Sequence, residues 1–305
     1  MNLPDLRVFV CAARAPSLGA AALELHLTPS AVSKALKRLE DSVGTALFDR
    51  SAKALVLNES GAFLLARAQA LLALADQARS DLLGGRAAID CRIGGPAVLL
   101  WRHGAALAGA LRDWPQATLR LQAMFEDEAL AALARGEVSA ALVTQAAIDG
   151  GGAHWSDEWQ VTPLGSIVQH LVAGVQHPLV RQLRRGKGGK DQVLEASTAQ
   201  VLEHDFACPS RSMFCGVQRG ARSDGWRDDQ LPRRIRYWTD DLHLLLGLVQ
   251  SGAALAYLPD FALREHELLR IHVSDCAYEC VEQVALVWNQ AHAAQWQRRL
   301  AEALA

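Results

Sequence analysis

The residues whose types and spacing most suggest chemistry lie in the stretch "LHLTPSAVSKALKRLEDSVG", residues 25 to 44. Thr28 is a good helix N-cap. Pro29 suits the first helical position, where its missing N–H would have no partner anyway. Gly44 supplies a stop. At about 100° per residue, Val32, Leu36, Leu39 and Val43 fall on one side of the helix, and Ser30, Ser33, Lys34 and Lys37 on the other. One face can bury itself. The other offers two small hydroxyls near the N-terminus and two ammonium groups, followed by Arg38. Small residues allow close approach, cations suit phosphate, and hydroxyls bond to phosphates or base edges. An ordinary amphipathic helix with a solvated outer face has the same pattern, so the neighbouring segments must decide.

Leu3, Leu6, Phe9 and Val10 recur at helical spacing and predict a helix near residues 4 to 14. Ser17 can cap a second helix, "LGAAALELH". The basic helix follows after a very short turn at Leu27 and Thr28, which is a helix-turn-helix pattern. In "ALFDRSAKALVLNESG", Leu55, Val56 and Leu57 suggest a short strand, with a tip from Ser51 to Ala54 that carries Lys53 close to Arg50. That segment reads as a wing beside the DNA or as a plain surface hairpin. Asn58 or Ser60 can then cap a long proline-free helix ending at Gly84 and Gly85. Its length is roughly 37 Å at the helical rise. Leu64, Ala68, Leu71, Ala75, Ala78 and Leu82 repeat in alternating steps of four and three, a heptad seam. Burial on its own domain would explain such a seam. The helix's length and its place between two domains favour dimerisation.

A chain of 305 residues suggests two domains. Half the residues are hydrophobic and 21% are charged, and the net charge of −2 confines any nucleic-acid binding to a local patch. The N-terminus does not read as a signal peptide, and no apolar run is long enough for a spanning helix. Six cysteines without a leader read as reduced cytosolic thiols. After Gly85, strands alternate with helices: "DCRIGG", "VLLWRHGAALAGALRDW", "ATLRLQAMF", "EDEALAALARGE" and "VSAALVTQ" form one set. "PLGSIVQHLVAGVQHPL" opens a second, which runs to "VEQVALVW" and the terminal helix. This alternation argues for a parallel α/β domain in two lobes with a ligand cleft between them.

Residues 1 to 85 resemble the N-terminal domain of LysR-type transcriptional regulators, on "LRVFV", "SLGAAALELHLTPSAVSKALKRLE", "VGTALFDRSAKALVLNESG" and the long helix. The remainder resembles the effector-binding domain of the same family, on "LRDWPQATLRLQ", "LARGEVSAALV", "PLGSIVQHLVAGVQHPL" and "TDDLHLLLGLVQSGAALAYLPDF". The resemblance implies an α/β protein overall. A winged helix-turn-helix would occupy residues 1–58, a linker helix 59–85, and a two-lobed α/β domain like a periplasmic binding protein 86–305. Lobe I would comprise about 86–162 and 264–305, and lobe II about 163–263. It implies DNA contact from Ser30, Ser33, Lys34 and Lys53, and the neighbouring Thr28, Pro29, Lys37, Arg38 and Arg50 are candidates for the same surface. Many members carry Gln-Pro where this sequence has Pro29-Ser30, so an amide able to read adenine is absent. It implies effector contact from Ala97 and Val98, from Thr144 and Gln145, and from Pro209, Ser210 and Arg211. The first of these loops is "GGPAVL", where a Ser or Thr often helps to bind a carboxylate; Arg211 is able to restore an anion partner.

The implied partners are double-stranded DNA at an inverted repeat, a small-molecule effector, further copies of the chain in a homodimer or homotetramer, and RNA polymerase. No cofactor, metal or membrane is expected, and the expected compartment is the cytoplasm. Cys208 and Cys215 lie where peroxide-sensing relatives carry a reactive pair, but two ordinary small hydrophobes are the simpler reading. Cys276 and Cys280 with His272 have a loosely metal-like spacing without a fourth ligand. "RQLRRGKGGK" reads as a solvated loop rather than a second DNA contact. An enzyme reading finds no nucleophile elbow, zinc-protease motif or phosphate loop.

Overall fold

The structure is a computed structural model, and it describes residues 1–49, 55–83, 89–151, 155–184, 194–265, 267–290 and 295–304. Four helices open the chain: α1 (Leu3–Arg14), α2 (Leu18–Glu24), α3 (Pro29–Val43) and α4 (Glu59–Leu83). Their starts are set by local hydrogen bonds. The side chains of Asn2, Ser17 and Thr28 accept the N–H groups of Asp5 (2.8 Å), Ala20 (3.2 Å) and Ala31 (3.2 Å). Helix α3 ends at Gly44, whose φ of 75° lies in the left-handed region where a side chain is disfavoured.

The apolar faces meet in one core around Leu6, Phe9, Val32, Leu36, Leu39 and Leu47, with Phe9 edge-on to Phe48 at 5.8 Å. Residues Leu64, Leu65, Ala68 and Leu72 bring the first half of α4 onto this core. Gly61 makes that approach possible, because a Cβ there would stand 2.0 Å from the Leu47 carbonyl oxygen. Near the expected wing, Phe48 and Leu57 form an antiparallel bridge rather than a strand pair. The tip, with Arg50 and Lys53, lies outside the described residues, as do residues 185–193 of the basic loop region.

Lobe I is built on β1 (Asp90–Gly95), α5 (Ala97–Ala110), β2 (Thr118–Ala123), α6 (Glu126–Ala134), β3 (Ala140–Thr144), α7 (Gln145–Asp149) and the terminal α12 (Gln295–Leu304). Two long strands, β4 (Trp159–Gly174) and β10 (Cys280–Asn289), link it to lobe II. Lobe II carries α8 (Pro178–Arg184), β5 (Leu194–Ala196), α9 (Thr198–Leu202), β6 (Asp205–Cys208), β7 (Arg234–Trp238), α10 (Leu242–Gln250), β8 (Ala256–Pro259), α11 (Ala262–Glu265) and β9 (Leu268–Val273). The main sheet runs β2-β1-β3-β10-β4-β9-β5, with β8 also on β4, and β6-β7 form a second sheet.

The structure corrects the sequence expectation of a parallel sheet. Pairings β1–β2 and β1–β3 are parallel, but β10 runs antiparallel to β3 and β4, and β4 antiparallel to β8 and β9. A chain that crosses into a second lobe must return, and the outgoing and returning strands pair side by side in opposite directions. The return also comes later than expected. Strand β9 pairs with the Val172–Gly174 end of β4 and buries Leu268 and Ile271 in the lobe II cores, so the chain re-enters lobe I through β10 and not near residue 264. The lobes are not separate bodies. Phe214 and Phe261 pack into the core of lobe I, with Trp101 edge-on to Phe261 at 4.7 Å.

Candidate DNA-binding helix and effector cleft

On α3, Val32, Ala35, Leu36 and Leu39 are buried, while Thr28, Pro29, Ser30, Ser33, Lys34, Lys37 and Arg38 are exposed. The polar half of the helix is thus presented by a scaffold that grips the other half. Arg38 differs from its neighbours. Its guanidinium forks onto the buried Asp5 of α1, with Nε to Oδ2 at 3.2 Å and Nη2 to Oδ1 at 2.5 Å. The hydrogen bonds from Arg38 outweigh burial and hold the Asp5 carboxyl below its usual range. Arg38 therefore ties α3 to α1 while its side chain remains 61% exposed.

The six seam positions separate into two groups. Ala68 is fully buried and Leu64 packs on the chain's own core, whereas Leu71 is 40% and Leu82 88% exposed, Ala78 is exposed and Ala75 half-buried. The exposed side of α4 also carries Phe63 and Leu74, at 70% and 50% exposure, which the heptad reading left out. Period alone does not tell which side of a helix its own domain consumes. Helix α4 is further tied to α1 by the Arg7–Asp76 ion pair. The DNA-reading unit rests on lobe I through Arg14, which donates to the Arg135 carbonyl at 3.4 Å and stands 3.9 Å from Glu137.

The three loops expected to meet an effector are placed as follows. Ala97 is exposed and Val98 buried in the first turn of α5, which follows Pro96 and has no side-chain cap. Thr144 is buried, and its N–H donates to the carboxylate of Glu126 at 2.6 Å. Gln145 is exposed and donates to Asp149 at 2.8 Å. Pro209 is buried, Ser210 half-buried and Arg211 exposed. The N–H groups of Ser210 (2.8 Å) and Arg211 (3.0 Å) and the Ser210 hydroxyl (2.9 Å) all donate to Asp240. Burial alone would raise the Asp240 carboxyl, but the bonds from Arg211 and Ser210 hold it below its usual value. Two of the three loops thus already bind a carboxylate, and that carboxylate belongs to the chain.

Glu126 and Asp240 were not singled out from the sequence, and only the acidic start of "EDEALAALARGE" hinted at the first. Glu126 is itself 2% exposed; burial raises its pKa against the opposing bonds from Thr144. Burial also raises Glu282, and the charge of Glu126 adds to the effect. Cys208 is buried and accepts from Arg233 at 3.3 Å; burial pushes its thiol upward, which makes it inert as a thiolate. Among the described residues no cluster of three or more His, Cys, Asp or Glu could hold a metal.

A helix-turn-helix on a long helix, followed by a two-lobed mixed α/β domain, is matched by two family models. Residues 3–62 match the bacterial regulatory helix-turn-helix protein of the lysR family, and residues 90–305 the LysR substrate binding domain. The chain belongs to the LysR family. The transcriptional regulator TfdS of Cupriavidus pinatubonensis is 28% identical over 265 residues, 85% of this chain and 82% of its own. A full-length OxyR variant from Pseudomonas aeruginosa superposes with a TM-score of 0.65 at 20% identity, covering 100% of this chain and 94% of that one. CbnR complexed with its target DNA superposes at 0.55 and 18% identity, covering 100% and 99%. These structural likenesses show the shared fold, and the family matches make this LysR-type protein a DNA-binding transcriptional regulator rather than an enzyme. Among its described residues, no helix is long and apolar enough to cross a membrane.

Proposed function

We propose that this LysR-type regulator reads an inverted repeat in duplex DNA through two copies of α3, paired along α4, and changes the spacing of those copies when an effector enters the inter-lobe cleft. The observation that carries the reading is the exposed row of Ser30, Ser33, Lys34 and Lys37 at the N-terminal half of a helix whose other face is locked in a core. Lys34 and Lys37 supply sequence-independent attraction to phosphates. Ser30 and Ser33 sit nearest the base edges. Phe63, Leu71, Leu74, Ala78 and Leu82 form the surface that meets the partner helix, in place of a seam through Leu64 and Ala68. The regulator acts in the cytoplasm, with RNA polymerase as its downstream partner.

The effector's chemistry follows from the two internal carboxylates. Loops already satisfied by Glu126 and Asp240 repel a second anion, so the group that meets them is a hydrogen-bond donor or a cation. An effector shifts the lobes only by binding one arrangement better than another.

Selection of the full chain on a random duplex pool, followed by affinity measurements on the enriched site at several salt concentrations, tests the reading. The expected result is an enriched inverted repeat with affinity that falls steeply with salt. An unenriched pool with salt-insensitive binding would overturn it.

A further inference from the structure

Helix α6 and its caps touch lobe II at one end and the DNA-reading unit at the other. Lobe II seats on the start of the helix. The N–H of Glu126 donates to the Phe214 carbonyl at 3.3 Å. Gly216, at a φ of 68°, lies so close to the Phe125 ring that a Cβ there would stand 2.5 Å from it. Glu126 in turn accepts the Thr144 N–H at 2.6 Å, at one of the loops expected to meet an effector.

The far end of α6 closes in a Schellman turn. The N–H of Glu137 donates to the Ala132 carbonyl at 2.8 Å and that of Gly136 to the Leu133 carbonyl at 2.9 Å, with Gly136 left-handed at a φ of 64°. Arg135 forks onto Glu137 with two bonds of 2.9 Å. The turn is therefore a stiff continuation of the helix and travels with it. The DNA-reading unit rests on this turn. Arg14, at the end of α1, donates to the Arg135 carbonyl at 3.4 Å and stands 3.9 Å from the Glu137 carboxylate. Gln69 of α4 lies against Gly136, where a Cβ would stand 3.4 Å from that of Gln69. The bonds from Arg135 hold the Glu137 carboxyl below its usual value, so it keeps the charge that faces Arg14.

The nine residues between these ends span about 13 Å at the helical rise. Ala129, Leu130, Ala132 and Leu133 share a core with Ala141 and Val143 of β3 and Val287 of β10. Two of those four side chains are methyl groups, and a helix so packed can shear over its sheet by a small displacement. The dock at the far end is weak. Arg14 and Glu137 are 29% and 30% exposed, and a wide, partly solvated ion pair contributes little to stability. Such a contact can open and close without unfolding either side.

We propose that α6 couples the cleft to the DNA-reading unit: lobe II acts on Phe125 and Glu126, and the turn at Arg135–Glu137 holds or releases α1 through Arg14. The coupling rests on the proposed cleft for its signal, whereas the linkage between the two ends of α6 belongs to the free chain and is measurable without an effector or DNA.

Amide hydrogen exchange on the full chain in the absence of DNA tests that linkage. Phe125→Ala empties the seat under Gly216, and Arg14→Ala unties the dock. Each is expected to speed exchange at the Arg14 end of α1 at least threefold and to leave α10 of lobe II unchanged. The double variant is expected to exchange there no faster than either single one, because both break one line of contacts. Unlinked sites roughly 13 Å apart would instead multiply their effects. Arg14→Lys, which keeps the charge, is expected to recover most of the protection. If Phe125→Ala does not fold, Phe125→Leu reads the same linkage with a smaller void. Phe125 variants that leave the end of α1 as protected as in the parent, or whose effect multiplies with that of Arg14→Ala, overturn the proposal. Duplex affinity of the same samples is a separate readout: a parent chain that selects no duplex sinks the regulator reading, while the exchange result still decides the coupling.

Discussion

At the scale of single residues, two changes on the DNA-reading unit separate contact from positioning. Lys34→Ala removes one exposed charge that the proposed function sets against a DNA phosphate. It is expected to weaken binding to all duplexes alike, to flatten the slope of log affinity against log salt by about 1, and to leave the melting temperature unchanged. Asp5→Asn keeps the surface charge of α3 but breaks the fork that holds Arg38. It is expected to lower stability by about 1 kcal/mol and to lower DNA affinity with it, since a charged hydrogen bond with one buried and one solvent-screened partner is lost. Urea titration beside fluorescence anisotropy checks both. The caps at Asn2, Ser17 and Thr28 span three residues each, so the sequence displays them directly. The carboxylates that satisfy Thr144 and Ser210 sit 18 and 30 residues from their partners. Only the folded sheet brings them together, and no local pattern announces them.

At the scale of elements, α4 was legible in length and placement but not in orientation. A 25-residue helix with small and apolar residues all round has more than one candidate stripe. The choice is made by Gly61 and Leu65, which lay the first turns against the helix-turn-helix core and leave the opposite stripe outward. Leu74→Glu places a charge at the centre of that outward stripe without touching the core-facing residues. It is expected to reduce the sedimentation mass of the full chain to a smaller species at micromolar concentration and to cut affinity for a two-half-site duplex far more than for a single half-site. An unchanged mass would move the partner surface elsewhere. The parallel-sheet expectation failed for a related reason: alternation of strands with helices reports connectivity within a lobe, and it carries no signal for the antiparallel crossing that joins two lobes.

At the scale of the whole molecule, acid reaches the fold through buried imidazoles. Burial keeps His103 of α5 and His177 before α8 neutral, lowering each from 6.5 to about 4. Between those values the unfolded chain takes up protons that the folded chain refuses, so stability is full above the upper value and falls as the pH drops through the window. The melting temperature is expected to decrease from pH 7 to pH 4.5, and His103→Phe is expected to shrink that decrease by removing one of the imidazoles that burial lowers, which include His170 as well as His177. A slope that survives the substitution intact assigns the acid sensitivity to other groups. The crossing strands carry a different consequence. Chain leaves lobe I on β4 and comes back on β10, and at the crossing Gln169 sits opposite Cys280 and Ser166 opposite Gln283. Everything between those points is one uninterrupted stretch of polypeptide whose two ends are neighbours. Lobe II is therefore a cassette: two splice points, one on each strand, suffice to exchange it for the matching lobe of another family member, provided that Phe214 and Phe261 find equivalent seats in the core of lobe I. Such a chimaera would keep its operator and acquire the donor's lobe II contacts, which makes sensing and DNA choice separable by recombination rather than by point mutation.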